Sequence, residues 1–189
     1  MKRLCFIFAI LMLVSISACT NQEIDEDLTQ EPTVLTLTPT VAPTEMLTLS
    51  ETAEIVVNAL AEQDLATLAD FVHPELGLRF SPYAFVRDEH QVFMPEELPG
   101  ILDSEEVFTW GHYDGSGEPI ELSFGEYFQE FVYSADFANA EQMAVNERLG
   151  QGNSINNIED YFPGSSFVEY HFSGFDPQYE GMDWESLRL

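Results

Sequence analysis

The chain has 189 residues, of which 45% are hydrophobic and 13% aromatic, a content too apolar for a disordered protein and sufficient for one ordinary domain. Its 34 acidic residues outnumber six lysines and arginines, which gives a formal net charge of −28. Nucleic acid is thereby excluded as a partner, because its binding requires basic side chains that neutralise phosphates. The charge favours a solvated acidic surface, with a high-salt habitat or calcium exposure as alternatives.

The first 18 residues have the layout of a secretory signal peptide. Lys2 and Arg3 supply positive charge, residues 4–14 are apolar without interruption, and small residues lead up to Cys19. The apolar stretch is too short to span a bilayer as a helix, which takes about 20 residues. We therefore predict a signal peptide over residues 1–18.

The end of this segment, Ile16-Ser17-Ala18-Cys19, resembles the lipobox of bacterial lipoproteins. The resemblance implies transfer of a diacylglycerol, with fatty acids such as palmitate, to the Cys19 sulfur, followed by cleavage of the chain before Cys19. A plain signal peptide that is cut nearby is the alternative. Two or three acyl chains anchor a protein stably, whereas one holds only marginally. We therefore expect an extracytoplasmic protein whose first partner is the lipid bilayer of a bacterial membrane.

Removal of the signal peptide changes the chemistry of the remaining chain. The second cysteine, Cys5, lies in the discarded segment, so that no thiol remains for a disulfide or a cysteine-ligated metal. The 34 acids then face four arginines and no lysine, a net charge near −30. The exported domain must be stabilised by its core alone.

Residues 19–47 are predicted to form the lipidated cysteine and a disordered tether. The segment contains three prolines, many threonines and several acids, without a helical or alternating apolar pattern. Such a composition favours an extended chain of about 3.1 Å per residue. Residues 48–189 are predicted to form the folded domain.

Two short helices are predicted at the start of this domain. Thr48 and Glu51 have capping-box spacing, with Ser50 as a competing N-cap, and apolar residues then recur at helical spacing. Asp64 is predicted to cap a second helix. Pro74 is predicted to end it, because the residue before a proline is pushed out of the α region.

The pattern then changes from helix to strand. Six strands are predicted, over residues 77–80, 91–94, 105–113, 141–149, 167–172 and 184–189. Ser123 and Glu126 form another capping-box pattern, which opens an inserted helix with a broad apolar face. Helices followed by strands predict an α+β domain in which a curved, mainly antiparallel sheet wraps around the helices.

At residues 56–74, the segment VVNALAEQDLATLADFVHP resembles the opening helices of the NTF2-like (cystatin-like) superfamily. The stretches GLRFSPYAFV, FTWGHYDGSGEPIEL and FVEYHFSGFDPQYEGMDWESLRL are similar to a group of uncharacterised bacterial lipoproteins. The resemblance implies a cone-shaped sheet packed on N-terminal helices. NTF2-like domains usually finish with a long central strand, and Leu189 ends the chain where that strand would follow. Two interpretations are open: the sequence is truncated at this point, which is the favoured one, or this domain has a smaller sheet.

Two pairs of residues are candidates for acid/base chemistry. His171 shares a strand face with Glu169, and the NTF2-like resemblance implies acid/base residues inside the cone. A carboxylate beside a histidine orients it as a general base. The opposite face of this strand is more apolar, however, so that both side chains are expected to lie in solvent. His112 and Asp114 are the second pair.

Two acidic segments are weak candidates for a metal site. Asp114, Ser116 and Glu118 have the 1-3-5 spacing of a calcium loop, but Pro119 replaces its invariant glycine and Gly125 its bidentate acid. A hairpin turn is therefore the favoured interpretation. A second acidic set is more simply a solvated loop, at Asp176, Glu180, Asp183 and Glu185.

Several aromatic side chains could line a pocket for an apolar ligand, although their spacing fits core positions better. They are Trp110, Tyr113, Phe128, Phe131, Tyr170 and Trp184. The chain contains no serine or cysteine protease, phosphate-loop or dinucleotide motif, and no cofactor is predicted. The leading hypothesis is a non-enzymatic, lipid-anchored module that binds a small ligand or a protein. An NTF2-like acid/base enzyme and a calcium-stabilised surface protein are the alternatives.

Overall fold

The computed structural model describes residues 46–150, 152 and 155–189. The predicted signal peptide, Cys19 and the tether up to residue 45 lie outside the described residues. Within the described part, no helix combines the length and apolar character needed to cross a membrane.

The two predicted N-terminal helices are observed. In α1 (Leu49–Ala61), the Thr48 hydroxyl accepts the Glu51 N–H, and the Glu51 carboxylate accepts the Thr48 N–H at 2.8 Å, so that Thr48 is the N-cap. In α2 (Leu65–Ala69), the Asp64 carboxylate accepts the Thr67 N–H at 3.0 Å. The α2 helix ends well before Pro74, because the next residues continue in turns closed by i→i+3 hydrogen bonds.

Seven antiparallel strands follow in the described residues. They are β1 (Leu78–Arg79), β2 (Val92–Phe93), β3 (Val107–His112), β4 (Pro119–Ser123), β5 (Gln142–Val145), β6 (Val168–Phe172) and β7 (Glu185–Arg188). The α+β class is confirmed. The strands form three separate sheets, β1–β2, β3–β4 and β5–β6–β7, in place of the single curved sheet that we expected.

The strand pairs are short or irregular. The β1–β2 pair joins only two residues on each strand, and the β3–β4 ladder is interrupted between Thr109 and His112. The predicted strand 141–149 stops at Val145, because Asn146 adopts a left-handed φ of 54° that does not continue a strand.

The inserted helix begins where its capping box predicts. It comprises α3 (Phe124–Tyr127) and a π-helical turn (Phe128–Val132), and the Ser123 hydroxyl accepts the Glu126 N–H. One further helix, α4 (Ile158–Tyr161), was not predicted. Single 3₁₀ turns occur at Pro95–Glu97, Ile101–Asp103, Phe137–Asn139 and Pro177–Tyr179.

The larger of two core clusters joins leucines of α1 and α2 to aromatic side chains of β2, β3 and the inserted helix. The Trp110 and Tyr127 rings stack with centroids 3.8 Å apart and an angle of 7°. The Trp110 indole N–H donates to the Leu122 carbonyl at 2.9 Å, which satisfies its polar group in the core.

The smaller core cluster joins α1 to the three-stranded sheet. Ala53 and Val57 of α1 pack with Val168 and Tyr170 of β6, and Phe137 completes the cluster. This packing covers one face of β6 with apolar side chains.

Candidate functional site

The central strand β6 is buried on both of its faces. Val168 and Tyr170 lie on the face that packs against α1, whereas Glu169 and His171, on the other face, are exposed by only 0% and 7%. The prediction that these two polar side chains lie in solvent is therefore wrong. Alternation identified the apolar face correctly, but it could not show that a distant part of the chain covers the polar one.

Four side chains on this polar face form a hydrogen-bonded series, which we call the polar chain: Arg188, Glu169, Ser186 and His171. Arg188 Nε donates to Glu169 Oε2 at 2.6 Å, Ser186 Oγ donates to Glu169 Oε1 at 2.7 Å, and His171 Nδ1 lies 2.8 Å from Ser186 Oγ. The sheet register explains the contacts, because it places Arg188 opposite Glu169 and Ser186 opposite His171.

The hydrogen bonds determine the tautomer of His171. Ser186 has a single hydroxyl proton, which it donates to Glu169, so its oxygen accepts a proton from His171 Nδ1. A neutral His171 therefore carries its hydrogen on Nδ1 and a lone pair on Nε2.

Glu169 is held in its ionised form. Burial acts to raise its pKa, but hydrogen bonds from Arg188, the Gly150 N–H at 2.7 Å and Ser186 outweigh burial and place the pKa below that of an ordinary glutamate. Both carboxylate oxygens are occupied by donors. Glu169 is thus poorly suited to accept a proton from a substrate near neutral pH.

The order of the polar chain also differs from that of a catalytic triad. In a triad the histidine lies between the serine and the acid and takes the serine proton. Here Ser186 lies between His171 and Glu169, and its proton is directed to the carboxylate. The arrangement therefore does not activate Ser186 as a nucleophile.

Gly150 and Trp184 cover the polar chain. A Cβ atom on Gly150 would come within 2.4 Å of the Trp184 ring and 2.6 Å of Ser186 Oγ, so only glycine fits without rearrangement. The Trp184 ring also lies 5.9 Å from the His171 ring, measured between centroids.

An open cleft of about 510 Å³ lies by the other face of the sheet. Phe172 of β6 and Glu185 of β7 are opposite each other in the register, and their side chains belong to the face that carries Tyr170. The residues that line the cleft are Ser134, Ala135, Asp136, Asn139, Phe172, Phe175 and Glu185.

Neutral donors bind both carboxylates of this cleft. Asp136 accepts hydrogen bonds from the Tyr133 hydroxyl at 3.0 Å and the Asn139 amide at 2.8 Å, and Glu185 accepts one from the Ser134 hydroxyl. These bonds orient the carboxylates without neutralising them.

The ion pairs within the described residues involve other carboxylates. Arg188 pairs with Glu169 at 2.6 Å, and Arg87 lies 4.0 Å from Glu89. None of the described residues that line the cleft is basic. The cleft therefore presents negative charge that its own lining does not balance.

The second predicted acid/base pair, His112 and Asp114, lies on the surface. His112 ends β3 and is exposed, and Asp114 is exposed in the following turn, where its N–H lies 3.3 Å from the Tyr83 hydroxyl. Neither residue lines the cleft or joins the polar chain.

The segment considered for calcium forms the turn of the β3–β4 hairpin. Glu118 O accepts the Tyr113 N–H at 2.9 Å, and the Ser116 hydroxyl accepts the Glu118 N–H at 3.2 Å. Among the described residues, no group of three or more histidine, cysteine, aspartate or glutamate side chains is arranged to hold a metal ion.

The aromatic candidates are distributed over separate parts of the domain. Trp110 and Phe128 belong to the larger core cluster, against which the half-buried Tyr113 and Phe131 pack. The remaining two lie on opposite faces of the three-stranded sheet, Tyr170 in the smaller cluster and Trp184 over the polar chain. None of the six lines the cleft.

Sequence reasoning missed the cleft residues other than Glu185, which it assigned to a solvated loop. Asp136 and Asn139 belong to a segment without any predicted element, and Phe175 lies in a loop. Only the pair of phenylalanines around Gly174 could have indicated an aromatic surface there. Comparisons with protein-family models, curated proteins and solved structures find no match to this chain.

Proposed function

We propose that the protein is a lipid-anchored extracytoplasmic module that binds a small ligand in its cleft and does not catalyse a reaction. The cleft carries this proposal, because it combines an open cavity of about 510 Å³ with aromatic rings and unbalanced carboxylates. Cavities of about 300–1,000 Å³ are typical of small-molecule sites.

The N-terminal sequence supports the membrane anchor and the location. Cys19 follows a signal-like segment, and the residues after it have the threonine- and proline-rich composition of a linker. An NTF2-like origin of the domain belongs to the same proposal. It is supported by the opening pair α1 and α2 and by the packing of α1 on an antiparallel sheet.

The alternative, an acid/base enzyme that uses His171 and Glu169, has one observation in its favour. A neutral His171 keeps a lone pair on Nε2. Its carboxylate neighbour, however, is saturated by Arg188, Gly150 and Ser186 and is separated from the imidazole by the Ser186 hydroxyl. We therefore favour binding over catalysis.

Metabolic labelling tests the anchor. Cells that express the full chain are grown with tritiated palmitate, and their membrane and soluble fractions are separated. We expect a labelled protein in the membrane fraction and an unlabelled protein for Cys19→Ser. An unlabelled wild-type protein in the soluble fraction would contradict the proposal.

Native mass spectrometry of the mature protein, purified in a neutral detergent, tests the cleft. We expect a bound mass that is lost in Phe175→Ala, whose side chain is 51% exposed and lines the cleft. Phe71→Ala, which removes an exposed phenylalanine that does not line the cleft, is the matched control and should retain the mass. Equal loss from both variants would argue against the cleft, and a folded protein without bound mass would favour a protein partner instead.

A further inference from the structure

The aromatic part of the cleft exposes ring surface to solvent. The Phe172 and Phe175 rings lie with centroids 5.2 Å apart and an angle of 39°, and Phe175 is half-exposed. The face of an aromatic ring carries negative partial charge and attracts a cation whose centre lies within about 6 Å. Two adjacent rings therefore offer more than an apolar surface.

Like the aromatic rings, the carboxylates of the cleft favour a positively charged ligand. The hydroxyl and amide groups that bind Asp136 and Glu185 are neutral and supply no counter-charge, and the formal net charge of −28 strengthens the negative potential around them. An anionic ligand would be repelled, and a neutral ligand would leave these carboxylates without a counter-charge.

Two of the arginines in the described residues are held elsewhere. Arg188 contacts Glu169 on the opposite face of the sheet, and Arg79 donates to the carbonyls of Arg87, Asp88 and His90 at 2.8–3.2 Å. Neither lines the cleft. Because no arginine or lysine is among the described residues that line the cleft, a ligand can supply the missing positive charge.

The lining favours an organic cation over a metal ion. Calcium takes 6–8 oxygen ligands, and magnesium requires near-ideal octahedral geometry. The cleft instead combines its carboxylates with two phenyl rings, and the described residues contain no cluster suited to a metal. Phenyl rings bind weakly hydrated cations such as quaternary ammonium groups.

We infer that the cleft selects a small organic cation of the quaternary ammonium class, with its charged group against Phe172 and Phe175 and near Asp136 and Glu185. This inference rests on the proposed ligand-binding function, and it specifies the chemistry of the ligand.

A pair of probes with the same shape tests the inference. Choline is titrated into the mature protein in a maltoside detergent, with ¹³C-labelled phenylalanine observed by NMR, and 3,3-dimethylbutan-1-ol serves as its neutral isostere. We expect choline to shift the Phe172 and Phe175 resonances saturably and to bind at least about fivefold more tightly than the isostere.

Charge-neutralising variants locate the contribution of each carboxylate. Asp136→Asn and Glu185→Gln should each weaken choline binding by about two- to fivefold, because each removes one partly exposed charge. Glu118→Gln makes the same change of net charge at an exposed turn that does not line the cleft, and it should leave choline affinity unchanged. Unchanged melting temperatures establish that the variants are folded.

Three results would overturn the inference. Equal binding of both probes would show an apolar cleft without charge selectivity, and equal weakening by Glu118→Gln and Asp136→Asn would show general attraction to an acidic surface. Absence of saturable shifts with choline would show that the cleft takes no such cation. Binding of the neutral isostere alone would contradict the preference for a cation but would agree with the proposed ligand-binding function. If neither probe binds and the mass spectrum shows no bound ligand, both proposals are wrong.

Discussion

The carboxylates on the two faces of the β5–β6–β7 sheet differ in burial and in the charge of their partners. On one face, Glu169 is fully buried and lies 2.6 Å from Arg188 Nε. On the other, Glu185 is only partly buried and receives its hydrogen bond from the neutral Ser134 hydroxyl. A carboxylate removed from water requires a cation and several donors, whereas one at the edge of a cleft can remain ionised by solvation.

This difference shows where a strongly acidic chain places one of its few basic residues. Residues 19–189 contain four arginines and 34 acids, and one of those arginines pairs with Glu169, which is fully buried. The carboxylate of the polar chain thus has a positively charged partner within the protein, whereas the described lining of the cleft contains no basic residue. We interpret the first as a structural feature and the second as a binding feature.

The largest expected effect comes from removing the buried cation. In Arg188→Ala, Glu169 keeps a buried charge without its partner, and such a change typically costs about 3–5 kcal/mol. The Arg188 side chain is itself only 15% exposed. Urea denaturation at neutral pH measures the loss of unfolding free energy.

A surface arginine provides the matched control for this variant. Arg87 and Glu89 form an ion pair at 4.0 Å with side chains that are largely exposed, and such pairs contribute about 0–1 kcal/mol. Arg87→Ala should therefore lose far less than Arg188→Ala. Similar losses of unfolding free energy in both variants would show that the buried carboxylate depends on its arginine no more than the exposed one does.

The next effect comes from the cover of the polar chain. Gly150→Ala places a methyl group against Trp184 and Ser186, and overpacking of this kind costs about 1–3 kcal/mol. In Gly152→Ala the new carbon would lie 3.1 Å from the Trp184 ring, a milder contact that should cost less. Thermal unfolding with near-ultraviolet circular dichroism measures both, and a larger loss for Gly152→Ala would contradict the packing.

Local features of this fold could be predicted because they depend on neighbouring residues. The capping boxes of Thr48 with Glu51 and of Ser123 with Glu126 both form where the sequence predicts. The β3–β4 turn and the position of β6 also follow from short patterns. In each case the relevant groups lie within a few residues of one another.

The polar chain and the cleft could not be predicted, because they depend on long-range packing. Burial of Glu169 requires Gly150, 19 residues away, and Arg188, also 19 residues away. The cleft combines Ser134 with Glu185, which are separated by 51 residues. Alternation along a strand identifies its two faces but not what covers them.

The third effect is a dependence on pH. Because the pKa of Glu169 is lowered in the folded state, its stabilising contribution is complete above the ordinary glutamate value of about 4.3 and is lost as pH falls through the lower folded pKa. The stability difference between the wild type and Glu169→Gln should therefore shrink as pH falls below that value.

Urea titrations between about pH 3 and 7 measure this difference, with the window set by the ordinary pKa. Glu118→Gln, a change at an exposed turn, should match the wild type throughout and controls for general effects of charge. A difference for Glu169→Gln that is constant with pH would show that the hydrogen bonds do not favour the ionised form.

The smallest effect is expected in the cleft. Glu185→Gln keeps an oxygen that can accept the Ser134 hydroxyl. Asp136→Asn keeps one oxygen, for either the Tyr133 hydroxyl or the Asn139 amide, and because residue 136 is exposed, water can bind the group that is released. Both variants remove charge from a strongly acidic protein. Each should therefore change the unfolding free energy by no more than about 0.5 kcal/mol, as surface substitutions usually do. Urea denaturation beside Arg188→Ala makes the contrast direct. A carboxylate that serves ligand binding should contribute little to the stability of the fold. A loss above about 1 kcal/mol in either variant would exceed the usual range for surface substitutions. It would show that the cleft carboxylates stabilise the fold as Glu169 does, and the two faces of the sheet would then not differ in this respect.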